Sequence, residues 1–233
     1  MLDFHSHILP KIDDGSRSCE ESIEMLKMLK EQGVNTVALT SHYLAMDESP
    51  QMFIDRRTHS YQKLVSAIEE SGEELPKLLL GAEVYYYPGI CKMEELQLLT
   101  LENSNLLLLE MPMAPWGKFT VRELTELAES SDIQIVIAHI ERSLKFQSKD
   151  TINRLLECGI LLQVNASFFI TMSTRRKALK MLRNGQIHFI GSDCHNIKHR
   201  PPKIGEAVDI IKNKLGDGII DEFFEEQHTY FKN

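Results

Sequence analysis

Apolar residues in this chain alternate between two patterns. Short runs rich in Leu, Ile and Val occupy 2–7, 36–42, 77–86, 106–112, 134–140, 161–166 and 188–193. Several are nearly continuous, Ile135-Val136-Ile137-Ala138 most clearly, which suits strands of a parallel sheet buried on both faces. Between them the apolar positions recur at helical spacing. Ser18 with Glu21 three residues on forms a capping box, Ile23, Leu26 and Leu29 share the buried face, and Gly33 ends the helix. A second helix runs from about Ser148 through Ile152, Leu155 and Leu156 to Gly159. No repeat, low-complexity tract or Pro/Gly-rich linker interrupts the alternation. The pattern predicts an α/β fold, a seven-stranded βα barrel forming one domain over 1–233.

The predicted C-terminal ends of these strands carry the chemistry. They bear His5 and His7, then His42, Glu83, Glu110, His139, Asn165, and finally Asp193 with His195. In a parallel barrel all such ends meet at one mouth. Strand alternation puts Asp3, His5 and His7 on one face, and the same holds for Asp193 and His195 if extended backbone continues past the last strand. Taken singly, each His reads as a hydrogen-bonded core residue; together they read as a metal centre. His59, His188, His199 and His228 fit no strand-end position and are expected on the solvated surface. Asn165 stays open between lining the site and satisfying backbone.

Imidazole and carboxylate donors without thiolate favour Mn²⁺, Fe²⁺ or Zn²⁺. The donors outnumber the needs of one ion, so two or three are expected. Clustered divalent ions suit in-line displacement at phosphorus. That chemistry singles out Arg142, three residues after His139, and Arg200, five after His195, whose guanidinium forks match a phosphate dianion. Surface arginines on loops are the plain alternative.

Composition narrows the field. The 233 residues are 42% hydrophobic and 26% charged, as in ordinary globular proteins. A formal charge of −8 disfavours a nucleic-acid partner. No apolar run approaches a membrane span, and the first residues lack a signal-peptide pattern, so membrane insertion is not expected and a cytoplasmic location is. The four Cys form no CxxC pair, in keeping with a reducing compartment. Cys194 through Arg200 spells C-x₅-R, the spacing of a cysteine phosphatase loop. That loop needs convergent backbone amides and a stabilised thiolate; here it contains no Gly, Pro201 follows, and Asp193 opposes the thiolate.

Three motifs add a resemblance. His5-Ser6-His7-Ile8-Leu9-Pro10-Lys11-Ile12-Asp13-Asp14-Gly15, His139-Ile140-Glu141-Arg142, and Ser192-Asp193-Cys194-His195-Asn196 through Arg200-Pro201-Pro202 resemble the bacterial manganese-dependent protein-tyrosine phosphatases of the capsular-polysaccharide (CpsB/YwqE) type. These belong to the PHP (polymerase and histidinol phosphatase) superfamily. The resemblance spans essentially the whole chain and implies a distorted seven-stranded (β/α)7 TIM-like barrel. It implies a first ion on His5, His7, Glu83 and Asp193, a second on Glu83, Glu110 and His139, and a third on Asp14, His42 and His195. Asp13 is an adjacent alternative to Asp14, and Asp3 is expected to orient a ligating imidazole. The resemblance also implies Mn²⁺, with Fe²⁺ or Zn²⁺ as alternatives, and a substrate in the phosphotyrosine tail of a bacterial tyrosine kinase that controls capsule or exopolysaccharide assembly. Lys11, Ile140 and Ser41-His42-Tyr43 depart from the family pattern at the rim without removing a ligand. A small-molecule phosphatase of the histidinol-phosphate type is the alternative enzyme, and a catalytically silent metal-stabilised platform the alternative from another class. Oligomeric state is left open.

Overall fold

The computed structural model describes residues 1–232. In chain order they form β1 (Leu2–Ser6), α1 (Cys19–Glu31), β2 (Thr36–Leu39), β3 (His42–Tyr43), α2 (Pro50–Ser71), β4 (Lys77–Leu80), β5 (Glu83–Tyr85) and β6 (Leu106–Glu110). There follow α3 (Lys118–Ser130), β7 (Gln134–Ile137), α4 (Lys149–Glu157), β8 (Leu161–Asn165), α5 (Ser167–Ile170), α6 (Met172–Arg183), β9 (Phe189–Gly191), α7 (Ile204–Leu215) and α8 (Asp217–His228). Every strand pairing among them is parallel.

The strands form an α/β half-barrel. One sheet has the order β1-β2-β4 and the other β3-β5-β6-β7-β8-β9. The seven predicted segments are therefore nine strands, because two of them break. The second segment splits at Thr40-Ser41 into β2 and β3, and the third at Gly81-Ala82 into β4 and β5. Backbone hydrogen bonds run across the breaks: Thr40 N–H donates to Ser6 at 3.0 Å, Gly81 N–H to Leu39 at 3.0 Å, and Glu83 N–H to Ser41 at 3.0 Å. Beyond β9, Asp193 N–H donates to the His5 carbonyl at 2.8 Å and His7 N–H to that of Cys194 at 2.9 Å. These bonds join the last segment to β1.

Packing follows the strand parity. Phe4, Ala38, Leu108, Val136, Leu161 and Phe189 belong to a small cluster built almost wholly from strand residues. The opposite-parity residues Val37, Leu39, Leu107, Leu109, Ile135 and Ile137 join a larger cluster with helix residues such as Leu26, Leu29, Leu124 and Leu155. This is the double burial expected of parallel strands. The predicted helix signals are used. Ser18 caps α1 by accepting from Glu21 N–H at 3.3 Å, and Gly33 takes the left-handed φ of 82°; the return half of the predicted capping box shifts by one residue, the Glu21 carboxylate accepting from Arg17 N–H at 2.9 Å. Ser148 caps α4, which buries Ile152 and Leu155. Among the described residues no helix is long and apolar enough to cross a membrane.

Candidate metal centre

The segment 7–16 folds back on β1 and brings two carboxylates to the strand ends. Ser16 N–H donates to the His7 carbonyl at 3.0 Å and Lys11 N–H to that of Ser16 at 2.8 Å. Gly15 lies so close that a Cβ there would stand 2.2 Å from the His7 oxygen. No other residue fits, which explains the Asp-Asp-Gly sequence. Asp13 anchors the fold: it accepts from Gly15 N–H at 3.0 Å, His42 N–H at 3.0 Å and His7 Nδ1 at 2.9 Å. Asp14, 65% exposed, faces outward at the rim with Oδ1 3.3 Å from His195 Nε2 and 3.5 Å from His42 Nε2.

Glu83 is the hub. Its buried carboxylate contacts four imidazoles: His5 and His7 at 3.3 Å each, His42 at 3.0 Å and His139 at 2.9 Å. Burial alone would raise this carboxyl, but His5 and the hydrogen bonds from His139 and His42 hold it well below the usual range. Glu110, ending β6, lies 3.5 Å from His139. Asp193 Oδ1 is 3.6 Å from His7 and 3.8 Å from His5. All nine predicted ligands are thus in one place. Three groups of side chains present donor atoms close enough to share an ion: His7, Asp14, His42 and His195; His5, His7 and Asp193; and His42, Glu83 and Glu110.

The imidazoles are oriented as ligands. His7 Nδ1 faces Asp13 and His5 Nδ1 faces Gln163 Oε1 at 3.4 Å, so both rings carry their proton on Nδ1. Their Nε2 atoms stand 3.1 Å apart and each lies 3.3 Å from Glu83 Oε2, so these nitrogens face a carboxylate that holds either their protons or a cation between them. Burial would lower both groups, yet Glu83 with Asp193 around His5, and Asp13 with Glu83 around His7, raise them to about 9. His195 hands its Nδ1 to the Asp193 carbonyl at 3.0 Å, while its buried Nε2 has no hydrogen-bond partner. Burial, His7 and Arg200 push His195 down to about 4, keeping it neutral. A neutral His195 with an unpartnered Nε2, beside two imidazoles gathered on carboxylates, fits a hard or borderline divalent ion that would displace the protons of His5 and His7.

Both predicted arginines reach this centre through Asp193. Arg142 Nη2 pairs with Asp193 Oδ2, and Arg200 Nη2 with Oδ1 at 2.8 Å. Asn165 Nδ2 donates to the same Oδ2 at 2.7 Å. The arginines flank a cavity of about 250 Å³ that also meets Asn165, His199 and Lys203. Each guanidinium keeps further N–H donors for an anion there.

Several expectations need correction. His5 and His7 share a face as the parity argument expects, but the β1–β2 register shifts between Asp3 and Ser6 and Asp3 turns elsewhere. Asp3 orients no imidazole. It binds Ser192 N–H at 2.8 Å and Ser192 Oγ at 2.6 Å, stapling β1 to the segment after β9. The imidazole-orienting role belongs to Asp13. β7 ends at Ile137 and β9 at Gly191, so His139 and Asp193 reach the site on left-handed backbone rather than extended strand. His188 is half-buried and accepts from Leu162 N–H at 3.0 Å; His59, His199 and His228 are exposed as expected. Cys194 is fully buried, and burial with the Asp3 charge pushes its thiol far above the ordinary range. It offers no thiolate nucleophile. Two participants escaped the sequence reading, Gln163 and Glu141. The signal for Gln163 is a lone amide within the apolar run Leu161-Leu162-Gln163-Val164. Burial lifts Glu141 to about 7, and its Oε1 accepts from Asn165 N–H at 3.2 Å.

Comparison with known proteins places the chain in a family. Residues 1–230 match the family described as capsular polysaccharide synthesis, CpsB/CapC. The tyrosine-protein phosphatase CpsB of Streptococcus agalactiae serotype III (strain NEM316) is 30% identical over 246 residues, covering 100% of this chain and 99% of that protein. The CpsB phosphatase of Streptococcus pneumoniae is 30% identical over 236 residues, covering 96% and 95%. Among solved structures, that of YwqE from Bacillus subtilis and CpsB from Streptococcus pneumoniae, described as unique metal-dependent tyrosine phosphatases, superposes with a TM-score of 0.85 at 23% identity, covering 99% of this chain and 94% of that one. With the match running nearly end to end, the chain belongs to the CpsB/CapC capsular polysaccharide synthesis family.

Proposed function

We propose that this protein is a metal-dependent protein-tyrosine phosphatase that hydrolyses phosphotyrosine in the tail of a bacterial tyrosine kinase serving capsule or exopolysaccharide assembly. One observation carries the reading: in a CpsB/CapC chain, His5, His7, His42 and His139 converge on the buried Glu83 beside an arginine-flanked cavity. His5, His7, Glu83 and Asp193 would hold one ion, Glu83, Glu110 and His139 a second, and Asp14, His42 and His195 a third, with Mn²⁺ the preferred metal. Such ions supply Lewis acidity toward phosphate oxygens and a source of hydroxide near neutral pH. Arg142 and Arg200 bind and orient the phosphoryl group with the donors that Asp193 leaves free. Asp193 fixes both guanidinium planes, so a phosphate entering the cavity meets two charged forks already in position. Asp14 and His42 line the more exposed side of the centre. The two sheets, spliced at Thr40-Ser41, Gly81-Ala82 and Asp193-Cys194, act as one distorted seven-unit barrel of the PHP type, a single domain over 1–233 working in the cytoplasm.

A phosphotyrosyl peptide assayed beside histidinol phosphate, with Mn²⁺ present, tests the substrate class. The expected result is a kcat/KM on the peptide at least about tenfold higher, a difference of about 1.4 kcal/mol in transition-state binding. Preference for histidinol phosphate would replace this reading with the small-molecule one. Turnover of neither compound would leave a silent binding platform.

A further inference from the structure

His139 and Asp193 both hold left-handed backbone, with φ of 30° and 52°. Non-glycine residues persist there only where their surroundings over-determine them. Here both are gripped by two amides of β8. Gln163 Oε1 accepts from His139 N–H at 2.6 Å, Gln163 Nε2 donates to Asn165 Oδ1 at 3.0 Å, and Asn165 Nδ2 donates to Asp193 Oδ2 at 2.7 Å. The direction of this chain is forced. A backbone N–H can only donate, so Gln163 must turn its oxygen to His139 and its nitrogen to Asn165, which leaves the Asn165 nitrogen for Asp193.

The same Gln163 oxygen faces His5 Nδ1 and so turns His5 Nε2 toward His7 and Glu83. At the other end, Glu141 Oε1 holds Asn165 by its backbone N–H. Gln163 is fully buried and Asn165 nearly so. Space for the arrangement comes from Gly191, where a Cβ would stand 2.5 Å from His5 Cβ and 2.9 Å from Gln163 Nε2.

We propose that Gln163 and Asn165 form an amide relay that presets the metal centre, orienting the His5 ring and holding His139 and Asp193 in strained backbone before an ion binds. They are positioning residues that act through His5, His139 and Asp193. The inference rests on the metal-dependent reading above and adds what keeps that site ready. Loss of a partner that orients a metal-ligating side chain weakens metal affinity by about 10- to 100-fold.

The test is calorimetric titration of Mn²⁺ into metal-stripped wild type, Gln163→Met, Gln163→Glu and Asn165→Ala, with thermal unfolding of each stripped protein. Gln163→Met keeps the shape and removes every hydrogen bond; Gln163→Glu keeps the acceptor oxygen for His139 and His5. We expect Gln163→Met to bind Mn²⁺ about 10- to 100-fold more weakly and Asn165→Ala about tenfold more weakly, while Gln163→Glu recovers most of the affinity. At saturating Mn²⁺ the KM of Gln163→Met for a phosphotyrosyl peptide should stay within about threefold of wild type, since Gln163 lies outside the lining of the arginine-flanked cavity. If Gln163→Met does not fold, Asn165→Ala carries the comparison. Wild-type Mn²⁺ affinity in Gln163→Met or Asn165→Ala overturns the relay alone. A wild-type chain that takes up no Mn²⁺ overturns the metal reading and the relay with it.

Discussion

Glu83→Ala should lose bound metal and, with it, about 10³-fold or more of its activity on an aryl phosphate, because divalent ions contribute several kcal/mol of transition-state charge stabilisation. The carboxylate is the one group that touches His5, His7, His42 and His139 together. Without it the rings lose the negative charge around which two of the proposed ions gather. Glu83→Gln keeps the shape, guards against a packing defect, and should fail in the same way. His42→Ala is the informative partner. Its ring stands on the more exposed side, between Glu83 and the open Asp14, so its loss should remove at most one ion. Metal content and kcat measured side by side decide the point. Equal metal loss in Glu83→Ala and His42→Ala would remove Glu83 from the centre of the site.

Arg142→Ala and Arg200→Ala are expected to retain metal and lose kcat/KM by roughly 30- to 1,000-fold, about 2–4 kcal/mol each, the typical cost of removing a charge-assisted contact made in the transition state. Lys should rescue poorly at either position, since an ammonium cannot reproduce a two-pronged contact with phosphate. The two losses should combine non-additively, because both side chains also hold Asp193. Wild-type kinetics in both variants would return them to the role of loop arginines that neutralise Asp193.

The parts of the fold most legible in the sequence are those where local signals and burial agree. The strand at Ile135-Val136-Ile137 is apolar on both faces because one meets neighbouring strands and the other the helices. The Ser18 cap of α1, with Glu21 turned back to Arg17 N–H, works within a few residues and needs no tertiary context. The breaks at Thr40-Ser41 and Gly81-Ala82 were not legible. They depend on where each segment finds its hydrogen-bond partner on a neighbouring strand, and composition barely changes there.

The clustering of the candidate ligands was legible because His and carboxylates at strand ends are few and chemically distinctive. Their supports were harder to see. Asp3 sits two residues from His5 and suggests a partner for that ring, but the register shift in β1 sends its carboxylate to Ser192. Asp13 takes up the orienting role because the Gly15 turn folds its loop back beneath His7. Gln163 looks like an ordinary polar interruption until two distant segments, at His5 and His139, are brought around it.

Metal content tests the central claim most directly. The protein is stripped with chelator, exchanged into metal-free buffer, reloaded with Mn²⁺, freed of excess ion, and analysed for metal per chain together with aryl-phosphatase turnover. Two or three equivalents per chain, with turnover absent after stripping and restored on reloading, is the predicted result. Full turnover from the stripped chain in excess chelator would contradict it.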